Sequence, residues 1–317
     1  MSTERAHPTR VAIVGAGNVG ASFAYALLLS GLAAEIVLID LNRERAEGEA
    51  MDLAHAVPFA PPARVWAGDY ADCAGAAVTV VTAGANQRPG EARLELVARN
   101  AAIFRALVPQ VAGANPGGII LVATNPVDVL THTALRVSGL PPARVIGSGT
   151  TLDTARFRYL ISRHFGVDAR SVHAYIVGEH GDSEVPVWSR ANIAGMPLAD
   201  YCEVTGAALD GATRQAIYER TRDAAYEIIK RKGATYYAIG AGLLRIVEAI
   251  LRDQRTVLTV SSVIDGYYGV SDVAFSLPTV IDRGGVEQVI RLRLSDEEQE
   301  GLLRSAAVLR GHIESLV

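Results

Sequence analysis

Short apolar runs punctuate the first half of the chain at residues 10–14, 35–40, 63–68, 78–82 and 119–124. They suit parallel strands buried on both faces. Between them the spacing predicts helices over 18–30, 43–57 and 91–112. In the last of these, Leu94, Val97, Ala101, Phe104, Val108 and Val111 recur at steps of three and four, which makes one apolar stripe. Pro109 should bend that helix near its end. Strands alternating with helices imply right-handed crossovers and a doubly wound sheet.

The rhythm changes after Gly149. A helix begins near Thr151, and a β-like run covers 171–177. Two helical patterns meet at Gly233, and strand-like segments follow at 256–263 and 273–280. Ser295 followed by Glu298 forms a capping box that opens a C-terminal helix. The pattern divides the chain into residues 1–149 and 150–317.

Gly15-Ala16-Gly17-Asn18-Val19-Gly20 follows the first strand and opens the first helix. Gly15 permits the tight turn, Gly17 lets backbone approach a pyrophosphate, and Gly20 lets helix and strand pack closely. The helix N-terminus then offers unpaired N–H groups to the phosphates. Asp40, twenty residues past Gly20, ends the second strand. Its carboxylate can accept from both adenosine ribose hydroxyls and would repel a 2′-phosphate, so NAD is expected rather than NADP. Arg43 nearby argues weakly the other way.

Composition narrows the field. The 317 residues are 50% hydrophobic and 20% charged, a profile of water-soluble globular proteins. With 30 basic and 34 acidic residues the net charge is −4, which gives no electrostatic reason to expect nucleic acid or an anionic membrane as partner. Lys230 and Lys232 are the only lysines. Cys73 and Cys202 have no disulfide or metal-ligand spacing and suit a reducing compartment. No secretory apolar core precedes the first strand, so a cytoplasmic location is expected. His7, His55, His132, His164 and His312 read as surface or ordinary polar positions.

The second half carries Leu152-Asp153-Thr154-Ala155-Arg156 and then Val177-Gly178-Glu179-His180-Gly181-Asp182-Ser183. With the glycine fingerprint, Thr82-Ala83-Gly84, Gln87-Arg88-Pro89-Gly90-Glu91-Ala92-Arg93, Thr124-Asn125-Pro126-Val127-Asp128 and Lys232-Gly233-Ala234-Thr235-Tyr236, the chain resembles the lactate/malate dehydrogenase family over almost its whole length. The resemblance implies an N-terminal Rossmann domain, a doubly wound parallel sheet, followed by a mixed α/β (α+β) substrate domain. It also implies reversible hydride transfer between NADH and a 2-keto acid.

Roles follow from the match. His180 would be the proton donor and acceptor, Asp153 its orienting carboxylate, and Arg156 a two-pronged clamp on the substrate carboxylate. Arg93 would polarise the ketone. Asn125 would bond substrate and nicotinamide ribose, Ser148 the nicotinamide amide, and Thr235 would line the substrate. Gly15, Gly17, Val19, Gly20 and Asp40 would hold the dinucleotide. Gln87 stands where an arginine would pair with the second carboxylate of oxaloacetate, so pyruvate and L-lactate are expected, with malate as the alternative. Arg88 beside it could take that place if the loop register shifted. A non-enzymatic NAD sensor is the remaining reading, and it would not need an Asp–His pair with two substrate arginines. The resemblance further implies a homotetramer. It also implies activation by fructose 1,6-bisphosphate, bound between subunits by Arg158 and His173.

Overall fold

The computed structural model describes residues 9–85 and 93–316, with Arg93 described in its backbone alone. Gln87, Arg88 and the rest of 86–92 lie outside the described residues. The first half runs β1 (Arg10–Val14), α1 (Asn18–Ser30), β2 (Glu35–Ile39), α2 (Arg43–Ala56), β3 (Arg64–Ala67), β4 (Ala76–Val81), α3 (Arg93–Ala114), β5 (Ile119–Val122), α4 (Val127–Ser138) and β6 (Val145–Gly147). These six strands pair in parallel in the order β3-β2-β1-β4-β5-β6.

Alternation along each strand builds a core on either side of the sheet. Val11 and Ile13 of β1, Ile36 and Leu38 of β2, and Val78 and Val80 of β4 meet Phe23 and Leu27 of α1 on one face. Ala12, Val14, Val37 and Ile39 turn to the other face, where Ala101 and Phe104 of α3 and Leu130 of α4 cover them. The α3 stripe is buried from Val97 onward, but Leu94 is half-exposed (53%), one turn short of the sheet. The helix runs on past Pro109 to Ala114.

The second half contains α5 (Thr151–Phe165), β7 (Val172–His173), β8 (Ile176–Val177), β9 (Val185–Pro186), β10 (Asn192–Ile193), β11 (Met196–Pro197), α6 (Leu198–Thr205), α7 (Gly211–Arg222), α8 (Ala224–Lys232), α9 (Tyr237–Leu251), β12 (Thr256–Ile264), β13 (Val273–Asp282), β14 (Gly285–Val289) and α10 (Asp296–Glu314). The run expected over 171–177 is two strands in different sheets, because Ala174 and Tyr175 interrupt it. The capping box forms as expected: Ser295 Oγ accepts from Glu298 N at 3.2 Å, and Glu298 Oε2 accepts from Ser295 N at 2.9 Å.

β12, β13 and β14 extend the parallel sheet as an antiparallel flank, joined through Ser261 opposite Gly147. The second half also reaches back at α9, whose Leu243, Ile246, Val247 and Ile250 enter the same core as α1. Gly240 allows that approach, since an added Cβ would stand 3.3 Å from Phe23 N. His132, read as a surface or ordinary polar position, is the latter: it is buried on α4, with Nε2 3.1 Å from Asp272 Oδ1. No described helix is long and apolar enough to cross a membrane.

Candidate active site

Strand order reverses direction between β1 and β4, which opens a crevice at their carboxyl ends. Gly15 lines it with φ +109°, a left-handed conformation, and an added Cβ there would lie 2.5 Å from Ala83 N. A Cβ at Gly20 would lie 1.9 Å from Gly15 O, so the helix cannot pack here with any larger residue. Gly17 differs: nothing lies within 4 Å of its missing Cβ, so space is open above the turn. It caps α1 without a side-chain hydrogen bond, and the first turn of α1 has no acidic residue. Open space at an uncapped helix start fits a diphosphate. Thr82 Oγ1 donates to Gly15 O at 2.7 Å and fixes the turn against the end of β4.

Asp40 sits beside this turn. Its Oδ2 accepts from Ala16 N at 2.7 Å and its Oδ1 from Asn42 N at 2.9 Å, which aims the carboxylate across the glycine loop. Each oxygen retains a lone pair for a hydroxyl. The guanidinium of Arg43 is directed elsewhere, donating to Gly68 O (2.9 Å), Ala67 O (3.0 Å) and Glu47 Oε1 (2.8 Å). The weak argument for a 2′-phosphate therefore loses its cation. Asn125 lies exposed at the end of this crevice, joined to Pro126 by a cis bond, and Ser148 is buried past the end of β6.

The second cluster is built on the first turn of α5. Thr150 Oγ1 donates to Ile176 O at 2.6 Å, and Thr154 Oγ1 accepts from Ile176 N at 3.0 Å. Thr259 Oγ1 of β12 donates to Thr154 Oγ1 at 2.9 Å. These bonds lock the helix start to β8, and β8 leads into the His180 loop. The loop turns at Gly178, whose φ is +90°. Ser305 Oγ of α10 then accepts from Glu179 N at 2.7 Å.

The two segments meet at Asp153. Its Oδ2 lies 2.5 Å from His180 Nδ1, and its Oδ1 accepts from an Arg156 Nη at 2.8 Å. The Asp153 side chain is 3% exposed, against 24% for His180 and 13% for Arg156. So the carboxylate is hidden while its two partners still reach solvent. Burial alone would raise the Asp153 carboxyl, but His180 and Arg156 reverse that and hold it below its usual range. Burial likewise pushes the His180 imidazole down, and the Asp153 contact outweighs it, so His180 stays well above the ordinary histidine value. A buried acid, an imidazole held at Nδ1 and partly open to solvent, and an arginine on one helix face can transfer a proton beside a bound carboxylate.

Models of two known domains match the chain: "lactate/malate dehydrogenase, NAD binding domain" over residues 9–147, and "lactate/malate dehydrogenase, alpha/beta C-terminal domain" over residues 150–317. The chain is 54% identical to the L-lactate dehydrogenase of Priestia megaterium over 311 residues, 98% of each protein. It is 49% identical to L-lactate dehydrogenase 1 of Clostridium acetobutylicum over 308 residues, 97% of this chain and 98% of that one. The chain belongs to the lactate/malate dehydrogenase family. The ligand-bound minor L-lactate dehydrogenase of Enterococcus mundtii superposes with a TM-score of 0.95 at 44% identity, covering 98% of both chains. Its NAD-binding domain makes this member of the family an NAD-dependent oxidoreductase.

Three buried polar residues of this lactate/malate dehydrogenase escaped the sequence reading. Asn100, 1% exposed, donates to Asn125 O at 2.9 Å and accepts from Ala85 N at 2.8 Å. It sits within the apolar stripe of α3, and a polar residue at such a position was the available signal. Asp128 accepts from His180 N at 2.7 Å through Oδ2. Glu184 is 4% exposed, and burial together with Asp153 pushes its carboxyl well above the ordinary carboxylate range. Thr235 is half-buried in the link between α8 and α9, and the hydrogen bonds of the described residues do not tie it to His180.

Proposed function

We propose that the chain reduces pyruvate to L-lactate with NADH, reversibly, with His180 as the group that gives and takes the proton. The observation that carries this reading is the single carboxylate of Asp153, bonded to His180 on one oxygen and to Arg156 on the other. When bound, NADH supplies the hydride to the ketone carbon. Asp153 fixes the imidazole through Nδ1, leaving Nε2 to donate to the developing alkoxide. Arg156 turns its guanidinium to the substrate carboxylate and sets the ketone beside His180. Arg93 polarises the ketone oxygen, Asn125 and Thr235 complete the pocket, and Ser148 meets the nicotinamide amide. Gln87, where an arginine would pair with a second carboxylate, carries no cation for one. In this scheme residues 1–149 hold the cofactor and residues 150–317 the substrate, in a cytoplasmic enzyme.

The test is NADH oxidation with pyruvate and, separately, with oxaloacetate. Pyruvate is expected to be the better substrate by kcat/KM, and a preference for oxaloacetate would assign malate instead. The same assay reads the raised imidazole. Reduction needs His180 protonated, so its rate should persist into mildly alkaline solution and fall only as pH rises through that raised pKa. Lactate oxidation needs the neutral ring and should rise over the same interval. Reduction that already fails at the ordinary histidine value would count against the Asp153 contact as the cause.

We further propose a homotetramer in which Arg158 and His173 bind fructose 1,6-bisphosphate across a subunit contact. Arg158 Nε donates to Ala174 O at 2.9 Å, which brings the arginine beside the strand of His173, and His173 is exposed. Tyr25, Leu29 and Met51 stand out half-exposed on α1 and α2, as they would before a partner covers them. The bisphosphate should lower the pyruvate KM, more strongly at mildly acidic pH, and Arg158→Gln should abolish the effect. Saturation curves that coincide with and without effector at both pH values would rule it out.

A further inference from the structure

The loop that carries His180 runs from Gly178 to Glu184, between the paired strands β8 and β9. It lies against α10, and three polar residues meet at that contact. Ser305 of α10 is fully buried, and its Oγ accepts from Glu179 N at 2.7 Å. Ser183 Oγ lies 2.5 Å from Glu179 Oε2 and 3.1 Å from Ser305 Oγ. A hydroxyl carries one hydrogen, so the donors can be assigned. Ser183 gives its hydrogen to the carboxylate, the shorter contact, and Ser305 must then give its own to Ser183. The bonds close a ring: Glu179 N–H to Ser305, Ser305 to Ser183, and Ser183 back to the Glu179 carboxylate.

We propose that Ser305 and Ser183 are positioning residues for the proton donor, holding the backbone on either side of His180 to α10 through this ring. This role deepens the assignment of His180 as proton donor and rests on it. A helix interior spends its backbone carbonyls on its own N–H groups, so α10 can offer the loop an acceptor only through a side chain. The approach is close: a Cβ on Gly178 would stand 2.7 Å from Ser305 Oγ. Around the ring, Leu302 and Leu309 of α10 share a core with Val97 of α3, Val129 of α4, and Val177 and Val185 on the strands that flank the loop. The ring thus registers His180 against the helix that begins at Arg93 and the helix that follows Asn125. Asp153 fixes the imidazole at Nδ1, but a side chain keeps its place only if its backbone does. Hydrogen bonds closed into a ring polarise one another, so losing one member should loosen the rest.

Ser183→Ala opens the ring, Ser183→Thr keeps the hydroxyl, and Ser305→Ala removes both bonds made by Ser305. In the two alanine variants kcat for pyruvate should fall roughly tenfold or more, as for small displacements of a catalytic group. Ser183→Thr leaves the ring closed and should stay within about threefold of wild type. NADH affinity should hold within about twofold in all three, because the dinucleotide crevice lies in the other half of the chain. Hydrogen exchange over residues 178–184, read by mass spectrometry, should quicken about tenfold or more in Ser305→Ala, where the Glu179 amide loses its acceptor. Wild-type kcat in Ser183→Ala, or a Ser183→Thr enzyme as slow as Ser183→Ala, would overturn the proposal. Unchanged exchange in Ser305→Ala would do the same. Should Ser305→Ala fail to fold, the Ser183 pair decides. If oxaloacetate turns out to be the substrate, the ratios are read on it. Exchange is measured without turnover, so a wild type inactive on pyruvate would sink the reaction assignment and leave this test standing.

Discussion

His180→Ala and His180→Asn are expected to bind NADH as the wild type does and to lose turnover by roughly 10²–10⁴-fold. The dinucleotide crevice is made by β1, β4 and the start of α1, and none of those elements depends on the imidazole for its shape. What disappears is the imidazole proposed as proton donor, beside Arg156. The loss should appear in kcat, with NADH fluorescence titration unchanged. Asparagine can keep a hydrogen bond to Asp153, so its failure would separate proton transfer from mere occupancy. Either variant retaining more than about a tenth of wild-type turnover would show that His180 does not supply the proton.

Gln87→Arg should move preference from pyruvate toward oxaloacetate. An unpaired carboxylate in a closed site costs on the order of 3–5 kcal/mol, and a guanidinium at this position removes that cost for oxaloacetate. The same charge faces the pyruvate methyl with nothing to pair, so pyruvate should also suffer. The ratio of kcat/KM for oxaloacetate over pyruvate is expected to rise by about 10² or more. A ratio that does not move would mean that residue 87 faces away from the substrate and that Arg88 or another side chain selects it.

Much of this fold could be read from the chain because strands buried on both faces are continuous apolar runs, and β1 and α1 begin and end where those runs do. What escaped was short or depended on the rest of the molecule. β6 has three residues, too few for any period, and α4 is buried nearly all round its first two turns, so no polar face marks it. That β12 would join β6 is a pairing across 114 residues, fixed by packing and invisible to local pattern. The site divides the same way. Asp153 and Arg156 were legible because three residues on a helix share a face. Asn100, Asp128 and Glu184 matter through their burial, and burial of a polar side chain is decided by what folds over it.

Since Asp153 spans His180 and Arg156, proton and substrate draw on one shared counter-charge. An anion that engages Arg156 loosens its claim on the carboxylate, and more of that charge then falls to the imidazole. Filling the site thus favours loading of the acid, and loading of the acid favours filling, by the same factor in each direction. In the reducing direction the imidazole would give its proton to the alkoxide, so as the hydroxy acid departs the ring is neutral and reloads from solvent. The Asp153 contact already keeps the donor charged at neutral pH in the empty site, and a bound anion strengthens that loading.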